Sequence, residues 1–217
     1  MPSRLELADI AAATGVRNPR VLDAMRIVPR GGFVPAELVS LAGNDEPIPI
    51  AHHQVTSQPS LIAAMIEAID PHDDEIVLEV GTGLGYQTAL LAKLARFVWS
   101  VEWWPDLAAA ARNNLGAAGI VNAEVVTGDG TQGLPEHAPF HGIVVAAAFP
   151  DVPPPLVGQL APGGRLVQPI GPGGDESVVL FDKRDDSLFR VRMVTLAHFV
   201  RLVGAHGYPI AEPRRSP

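Results

Sequence analysis

Hydrophobic spacing changes character partway along this chain. Over residues 5–14, 19–27 and 60–69, apolar positions recur three and four apart, the signature of a helix with one buried face. Pro59 stands at the entrance of the third stretch, where a missing N–H costs nothing. Between the second and third, Arg30-Gly31-Gly32-Phe33-Val34-Pro35 breaks the pattern. Pro47-Ile48-Pro49-Ile50 is expected to be extended, because each proline bars the residue before it from the helical region. From residue 76 onward, short apolar runs at 76–80, 98–101, 124–127, 142–147 and 165–169 alternate with helical patterns at 87–94, 105–117 and 154–160. That alternation predicts an α/β fold, a doubly wound, mostly parallel sheet with helices on both faces. The last runs, 177–182, 189–195 and 198–202, have no helix between them and predict an antiparallel C-terminal edge. Residues 1–75 then form a short N-terminal helical cap and strip, 76–210 the core, and 211–217 a tail, all within one domain.

Composition narrows the picture. A chain of 217 residues can bury a large core as a single domain. It has no cysteine, which excludes disulfides, thiolate metal sites and a thiol nucleophile. No apolar stretch approaches eighteen residues, and Met1-Pro2-Ser3-Arg4 opens no signal peptide, so a cytoplasmic protein away from the membrane is expected. The net charge of −8 contains no basic block apart from Arg214-Arg215, and a nucleic-acid partner is not expected. We expect a monomer.

The candidate chemistry begins at Val77-Leu78-Glu79-Val80-Gly81-Thr82-Gly83-Leu84-Gly85-Tyr86, where an apolar strand meets alternate glycines and then a helix. Glycines there let the chain turn sharply and bring its backbone against a ligand. A dinucleotide fingerprint would place a sixth-position glycine where Tyr86 stands. Glu102 closes the next strand about twenty residues on, where an acid binding ribose hydroxyls belongs. Asp129, in Gly128-Asp129-Gly130 after the third strand, is placed to accept from an adenine amino group. The glycine spacing resembles motif I of the class I S-adenosylmethionine (SAM) methyltransferases, a Rossmann-like fold.

The pattern as a whole, from about residue 20 to 204, resembles the protein-L-isoaspartate (D-aspartate) O-methyltransferases. It does so through Val21-Leu22-Asp23-Ala24-Met25, Val28-Pro29-Arg30, Phe33-Val34-Pro35, the Pro-Ile-Pro-Ile strip, Gln54, Ser57-Gln58-Pro59, the glycine turn, Gly128-Asp129-Gly130, the 160–166 segment, and Phe199-Val200 before Leu202. The resemblance implies methyl transfer from SAM, leaving S-adenosylhomocysteine, to the free α-carboxylate of isoaspartyl residues in proteins or peptides. The ester would then be lost through a succinimide. Ser57 takes the catalytic place, and Gln54, Val55, Thr56, Ser57, Glu79, Gly81, Thr82, Gly83, Gly85, Glu102, Asp129 and Gly130 the cofactor contacts. On spacing alone, Ser57 before Pro59 also reads as a helix N-cap.

The chain departs from the family pattern at Gly43, His52, His53, Val55, His141 and Arg201. All but His141 fall where the substrate side is expected, so a SAM enzyme with another acceptor, such as a dedicated aspartyl side chain or a small acid, stays open, as does a non-catalytic SAM module. The adjacent histidines would point to opposite sides of an extended segment, without a third ligand, and no metal is expected. Trp99, Trp103 and Trp104 flank Glu102 as core packing or as a cover for adenine. Tyr86 either closes over the cofactor or packs its helix, and Arg201 is a second handle for a carboxylate or an ordinary surface arginine.

Overall fold

Residues 6–172 and 174–209 are described by the structure, a computed structural model. Leu5, expected in the first helix, and the 211–217 tail lie outside them. The helix-spaced stretches fold as α1 (Leu7–Thr14), α2 (Pro19–Ile27) and, after the interrupted strip, α3 (Pro59–Ile69). Each has a local cause. Gly15, at φ 119°, ends α1 in a left-handed turn whose N–H reaches the Ala11 and Ala12 carbonyls. Asn18 caps α2, its side chain accepting from the Arg20 N–H at 2.9 Å, with proline in the first turn. Between α2 and α3, two short strands, β1 (Ile48–Pro49) and β2 (Val55–Thr56), pair antiparallel around the tight turn Ala51–His53.

The alternating half is β3 (Ile76–Val80), α4 (Tyr86–Ala92), β4 (Phe97–Glu102), α5 (Pro105–Ala117), β5 (Ala123–Thr127), β6 (Phe140–Val145), α6 (Pro154–Gln159) and β7 (Leu160–Ile170), followed by β8 (Glu176–Arg184) and β9 (Ser187–Ala197). They form one sheet in the order β5-β4-β3-β6-β7-β8-β9, parallel from β5 to β7 and antiparallel beyond. The chain builds outward from β3 in one direction, then returns to start β6 on its other side. At that reversal the connections leave the sheet in opposite directions, and a crevice opens at the carboxyl ends of β3 and β6.

Helices cover both faces, so neighbouring strand residues are buried on opposite sides. Val77 and Val144 pack with α1, α2, α3 and α4, while Leu78, Ile143 and Val145 pack with Leu156 of α6 and Leu202. Two expectations need correction. Residues 198–202 are not a strand; they make only a bridge of Arg201 to Ala148, and the Phe199 N–H is spent on the Glu176 carboxylate at 2.9 Å rather than on a ladder partner. And β7 starts at Leu160, paired with Phe140 ahead of a register shift, so the segment given to a helix end and turn is already strand.

The irregular strip before α3 is shaped by Arg30, which is 3% exposed. Its Nη1 donates to the Asn44 carbonyl at 2.9 Å; its Nη2 donates to the Glu46 carbonyl at 2.9 Å and to Thr56 Oγ1 and the Ser57 carbonyl at 3.1 Å. Burial lowers its pKa from the ordinary arginine value, but those acceptors leave it the glue of the strip. Arg30→Met keeps the apolar stem and strands the carbonyls. Urea unfolding of that variant should show a loss of roughly 3–5 kcal/mol, the scale for breaking a buried charge-assisted network; a loss below about 1 kcal/mol would mean that the strip is held otherwise.

Candidate functional site

The glycine turn lies in the crevice at the end of β3. Gly81, Gly83 and Gly85 all have positive φ (94°, 56° and 94°), conformations that side chains rarely adopt. They do different work. A Cβ on Gly85 would sit 3.3 Å from Leu115 and 3.5 Å from Ala111, so that glycine packs the turn on α5; at Gly83 the nearest atom would be Ile50 Cδ1 at 3.7 Å. Gly83 is thus the open floor of the cavity. The cavity holds about 980 Å³, counting the open solvent at its mouth. Its wall comprises the strip residues Gln54, Val55, Thr56 and Ser57, the turn residues Gly81, Thr82 and Gly83, and Glu102, Trp103, Trp104 and Gly130. Val200, Arg201, Leu202 and Val203 close the opposite side.

Three acids end the first three sheet strands, and the structure gives them three environments. Glu102 faces the cavity; its Oε2 accepts from the Gly83 N–H at 2.8 Å and its Oε1 from the Trp104 N–H at 3.0 Å. Burial pushes its pKa up against those bonds. Glu79 does not line the cavity but lies behind it, fully buried. Its Oε2 accepts from Thr88 Oγ1 and from Ser100 Oγ at 2.6 Å, and Ser100 Oγ in turn is 2.5 Å from Thr82 Oγ1 on the wall. Burial pushes the Glu79 carboxyl up to about 7. Asp129 is also off the wall. It binds the Thr131 and Ala205 N–H groups at 2.9 and 2.8 Å and the Gln132 amide at 3.1 Å, which ties the 204–206 segment to the end of β5. Partial burial raises its pKa, but these bonds together bring it below the ordinary 3.8.

Of the expected contacts, Gln54, Val55, Thr56, Ser57, Gly81, Thr82, Gly83, Glu102 and Gly130 are brought together, while Glu79, Gly85 and Asp129 stand behind the wall, spent on the hydrogen bonds and packing just described. The Ser57 hydroxyl has no hydrogen bond among the described residues. Nor does it cap α3. Asp45 does that, its Oδ1 accepting from the Ser60 N–H at 2.8 Å and its Oδ2 from Ser60 Oγ at 2.7 Å and Gln58 Nε2 at 2.8 Å. Spacing gave no sign of Asp45, which acts from fifteen residues away. Arg30 did lie inside a segment that carries the resemblance, yet its role shows only in its carbonyl partners.

The remaining expectations resolve individually. Tyr86 packs against Phe33, 5.9 Å between ring centres, and also lines the cavity; burial pushes its phenol up to about 12. Trp99 stacks on His137 away from the wall, while Trp103 and Trp104 are on it. His52 and His53 do not flank an extended segment, since both adopt left-handed backbone in the tight turn. Val55 and Arg201 line the cavity, the guanidinium lying 5.0 Å over the Tyr208 ring. His141 is at the other end of the sheet, its Nδ1 accepting from the Ile76 N–H at 3.2 Å. Among the described residues no three of His, Asp and Glu converge on a metal-sized site, and no helix is long and apolar enough to cross a membrane.

Comparison with known proteins identifies the family and the fold. The family described as protein-L-isoaspartate(D-aspartate) O-methyltransferase (PCMT) matches residues 3–207. A protein-L-isoaspartate O-methyltransferase of Methanoculleus marisnigri is 48% identical over 198 residues, which make up 90% of this chain and 89% of that one. A solved structure of a protein-L-isoaspartate O-methyltransferase superposes with a TM-score of 0.81 at 29% identity, over 93% of this chain; the match spans 66% of that longer chain. A Plasmodium falciparum structure bearing the family's name, solved in complex with S-adenosyl-L-homocysteine, shares the fold with a TM-score of 0.77 at 22% identity, over 91% of this chain and 96% of that one.

Glu79 yields a pH prediction. Its pKa in the fold, about 7, lies above the ordinary 4.5, so the folded chain binds this proton more tightly than the unfolded chain does. The associated stability is complete below about pH 4.5, and about 3 kcal/mol of it is lost as the pH rises to about 7, at about 1.4 kcal/mol per unit. Glu79→Gln, which is neutral throughout, should flatten that part of the stability profile. Denaturant midpoints with the same slope in wild type and variant between those pH values would show Glu79 to be ionised in the fold.

Proposed function

The chain belongs to the protein-L-isoaspartate (D-aspartate) O-methyltransferase family, and on that premise we propose that it methylates the free α-carboxylate of L-isoaspartyl residues in proteins or peptides, with SAM as donor. The observation that carries this reading is one cavity that joins the glycine turn and Glu102 to the 54–57 strip with its unbonded Ser57 hydroxyl. The cavity suits the cofactor. Gly83 leaves space where a side chain would stand, and the buried Tyr86 hydroxyl and Gln87 Nε2, both on lining residues, have no partner among the described residues. Gly81, Thr82, Gly83, Glu102 and Gly130 would hold SAM, which when bound supplies an electrophilic methyl group.

The chain's own residues do the rest. An isoaspartyl α-carboxyl, with a pKa of roughly 3.5, is ionised at neutral pH and needs no general base. It does need to shed water and to point at the methyl. The apolar wall of Val55, Ile62, Ala146, Ala147 and Leu202 sheds the water. Ser57 donates its hydroxyl to one carboxylate oxygen, and Arg30 fixes the backbone that carries Ser57. Positioning of this kind contributes on the order of 7–11 kcal/mol to such a transfer. The ester formed is lost as a neighbouring amide nitrogen closes a succinimide, whose hydrolysis returns some normal aspartate. We take the protein as a cytoplasmic monomer that uses neither nucleic acid nor membrane; its charge of −8 opposes binding to phosphate backbones.

Val55 and Arg201, on the cavity wall, favour a second reading in which the same machinery serves a different carboxylate acceptor. Labelled SAM offered with an isoaspartyl peptide and its normal aspartyl twin separates the two. Label only on the isoaspartyl peptide supports the first; label on neither, with SAM still bound, supports the second.

Two further outcomes are expected. Ser57→Ala should leave SAM affinity within a few-fold and lower turnover on isoaspartyl peptide by about ten-fold or more, the scale for losing one aimed donor; turnover equal to wild type would strip Ser57 of its role. With both substrates saturating, single-turnover rates should stay nearly flat from about pH 6 to 8, because the acceptor is already ionised. A limb near pH 6.5 that vanishes in a His52→Gln/His53→Gln double variant would instead reveal a histidine base.

A further inference from the structure

His52 departs from the family pattern and is fastened from several sides. It and His53 hold left-handed backbone, φ 58° and 56°, a region that residues other than glycine seldom occupy. Such a conformation persists where surrounding contacts over-determine it, and the contacts converge on His52. Its ring stacks on Trp104 with centres 3.9 Å apart and planes 2° from parallel. Its Nε2 lies 2.9 Å from both carboxylate oxygens of Asp106, in the first turn of α5. A carboxylate has no hydrogen to give, so Nε2 carries it. The His52 carbonyl accepts from Gln54 Nε2 at 3.0 Å. Gln54 and Trp104 both line the cavity, and Ile50, just before the turn, reaches over Gly83. The 50–54 segment therefore spans the cavity from the glycine turn to the start of α5.

We propose that His52 is a positioning residue for the cofactor: fastened to Trp104 and Asp106, it holds the 50–57 segment over the SAM cavity. The inference rests on the methyltransferase reading and names a residue that the reading leaves unused. Asp106 is held below the ordinary 3.8 chiefly by its bond to His52, so it accepts that bond as a carboxylate. The other titratable groups nearby are Glu102, which senses the Asp106 charge, and His53, which has no ion-pair partner among the described residues. Losing either end of the His52–Asp106 bond should therefore loosen the segment over the cavity and weaken cofactor retention.

Titration calorimetry with S-adenosylhomocysteine tests this. His52→Ala and Asp106→Asn should bind about 5- to 20-fold more weakly than wild type. His52→Gln, which keeps a donor, should recover part of the affinity, and His53→Gln should behave as wild type. Wild-type affinity in His52→Ala, or a loss in His53→Gln as large as that in His52→Ala, overturns the inference. Wild-type protein that binds no S-adenosylhomocysteine overturns the methyltransferase reading beneath it.

Discussion

The reacting side of this molecule depends on one buried guanidinium. The 54–57 strip finds little backbone pairing, since only Val55 and Thr56 join the short β1–β2 ladder; yet buried carbonyls without partners are costly. Arg30 resolves the conflict. It takes the carbonyls of Asn44, Glu46 and Ser57 and the Thr56 hydroxyl at once, leaving the Ser57 hydroxyl free. Lysine could not do the same, since only the planar fork offers five donors in fixed directions. Asp45 completes the arrangement by capping α3, which spares Ser57 the task that a serine in front of a helix most often performs.

The same separation of duties runs through the acids at the strand ends. Glu102 meets the cavity with one oxygen on the Gly83 N–H and the other on the Trp104 N–H, so it shapes the floor of the site as well as facing a ligand. Glu79 sits one layer deeper. With its pKa near 7 it is about half protonated at neutral pH, and through Ser100 it fixes the Thr82 hydroxyl on the wall. A charged Glu79 close behind Glu102 would place two like charges at one wall of the cavity, which a low-dielectric site resists. Asp129 turns outward and anchors the chain that returns through Leu202 to close the far wall.

Local chemistry made much of this legible in the sequence. Period and proline placement mark α2 at Pro19–Ile27, α5 at Pro105–Ala117 and β3 at Ile76–Val80 with the bounds they have in the fold, because those elements are set by their own apolar faces. Alternating glycines before Tyr86 mark the turn, since backbone with positive φ leaves few alternatives. What depends on distant partners was not legible. The Asp45 cap, the Arg30 carbonyl set and the bond of Glu176 to Phe199 each join groups more than a dozen residues apart. The 198–202 run has the apolar spacing of a strand, but its Phe199 N–H goes to the buried Glu176 carboxylate and its backbone bridges only to Ala148. Glu79 and Asp129 were legible as acids at strand ends, but burial decides whether such an acid meets the ligand or holds up the wall.

The departures from the family pattern follow the same physical division. Methyl transfer between an already ionised carboxylate and a sulfonium asks for alignment and dryness, which in the proposed function the apolar wall, Ser57 and the glycine turn would provide without titrating groups. The rim is under a different demand: it must admit and release a cofactor and a peptide. His52, Val55 and Arg201 all lie at the wall or beside it, and none of them is a group that the transfer itself requires. His141, at the opposite end of the sheet, does no more than accept the Ile76 N–H. Substitution at the rim can therefore retune binding and release while the reacting geometry stands, because the rim is held by His52, Trp104 and Asp106 and the reacting strip by Arg30, two sets of contacts with no residue in common.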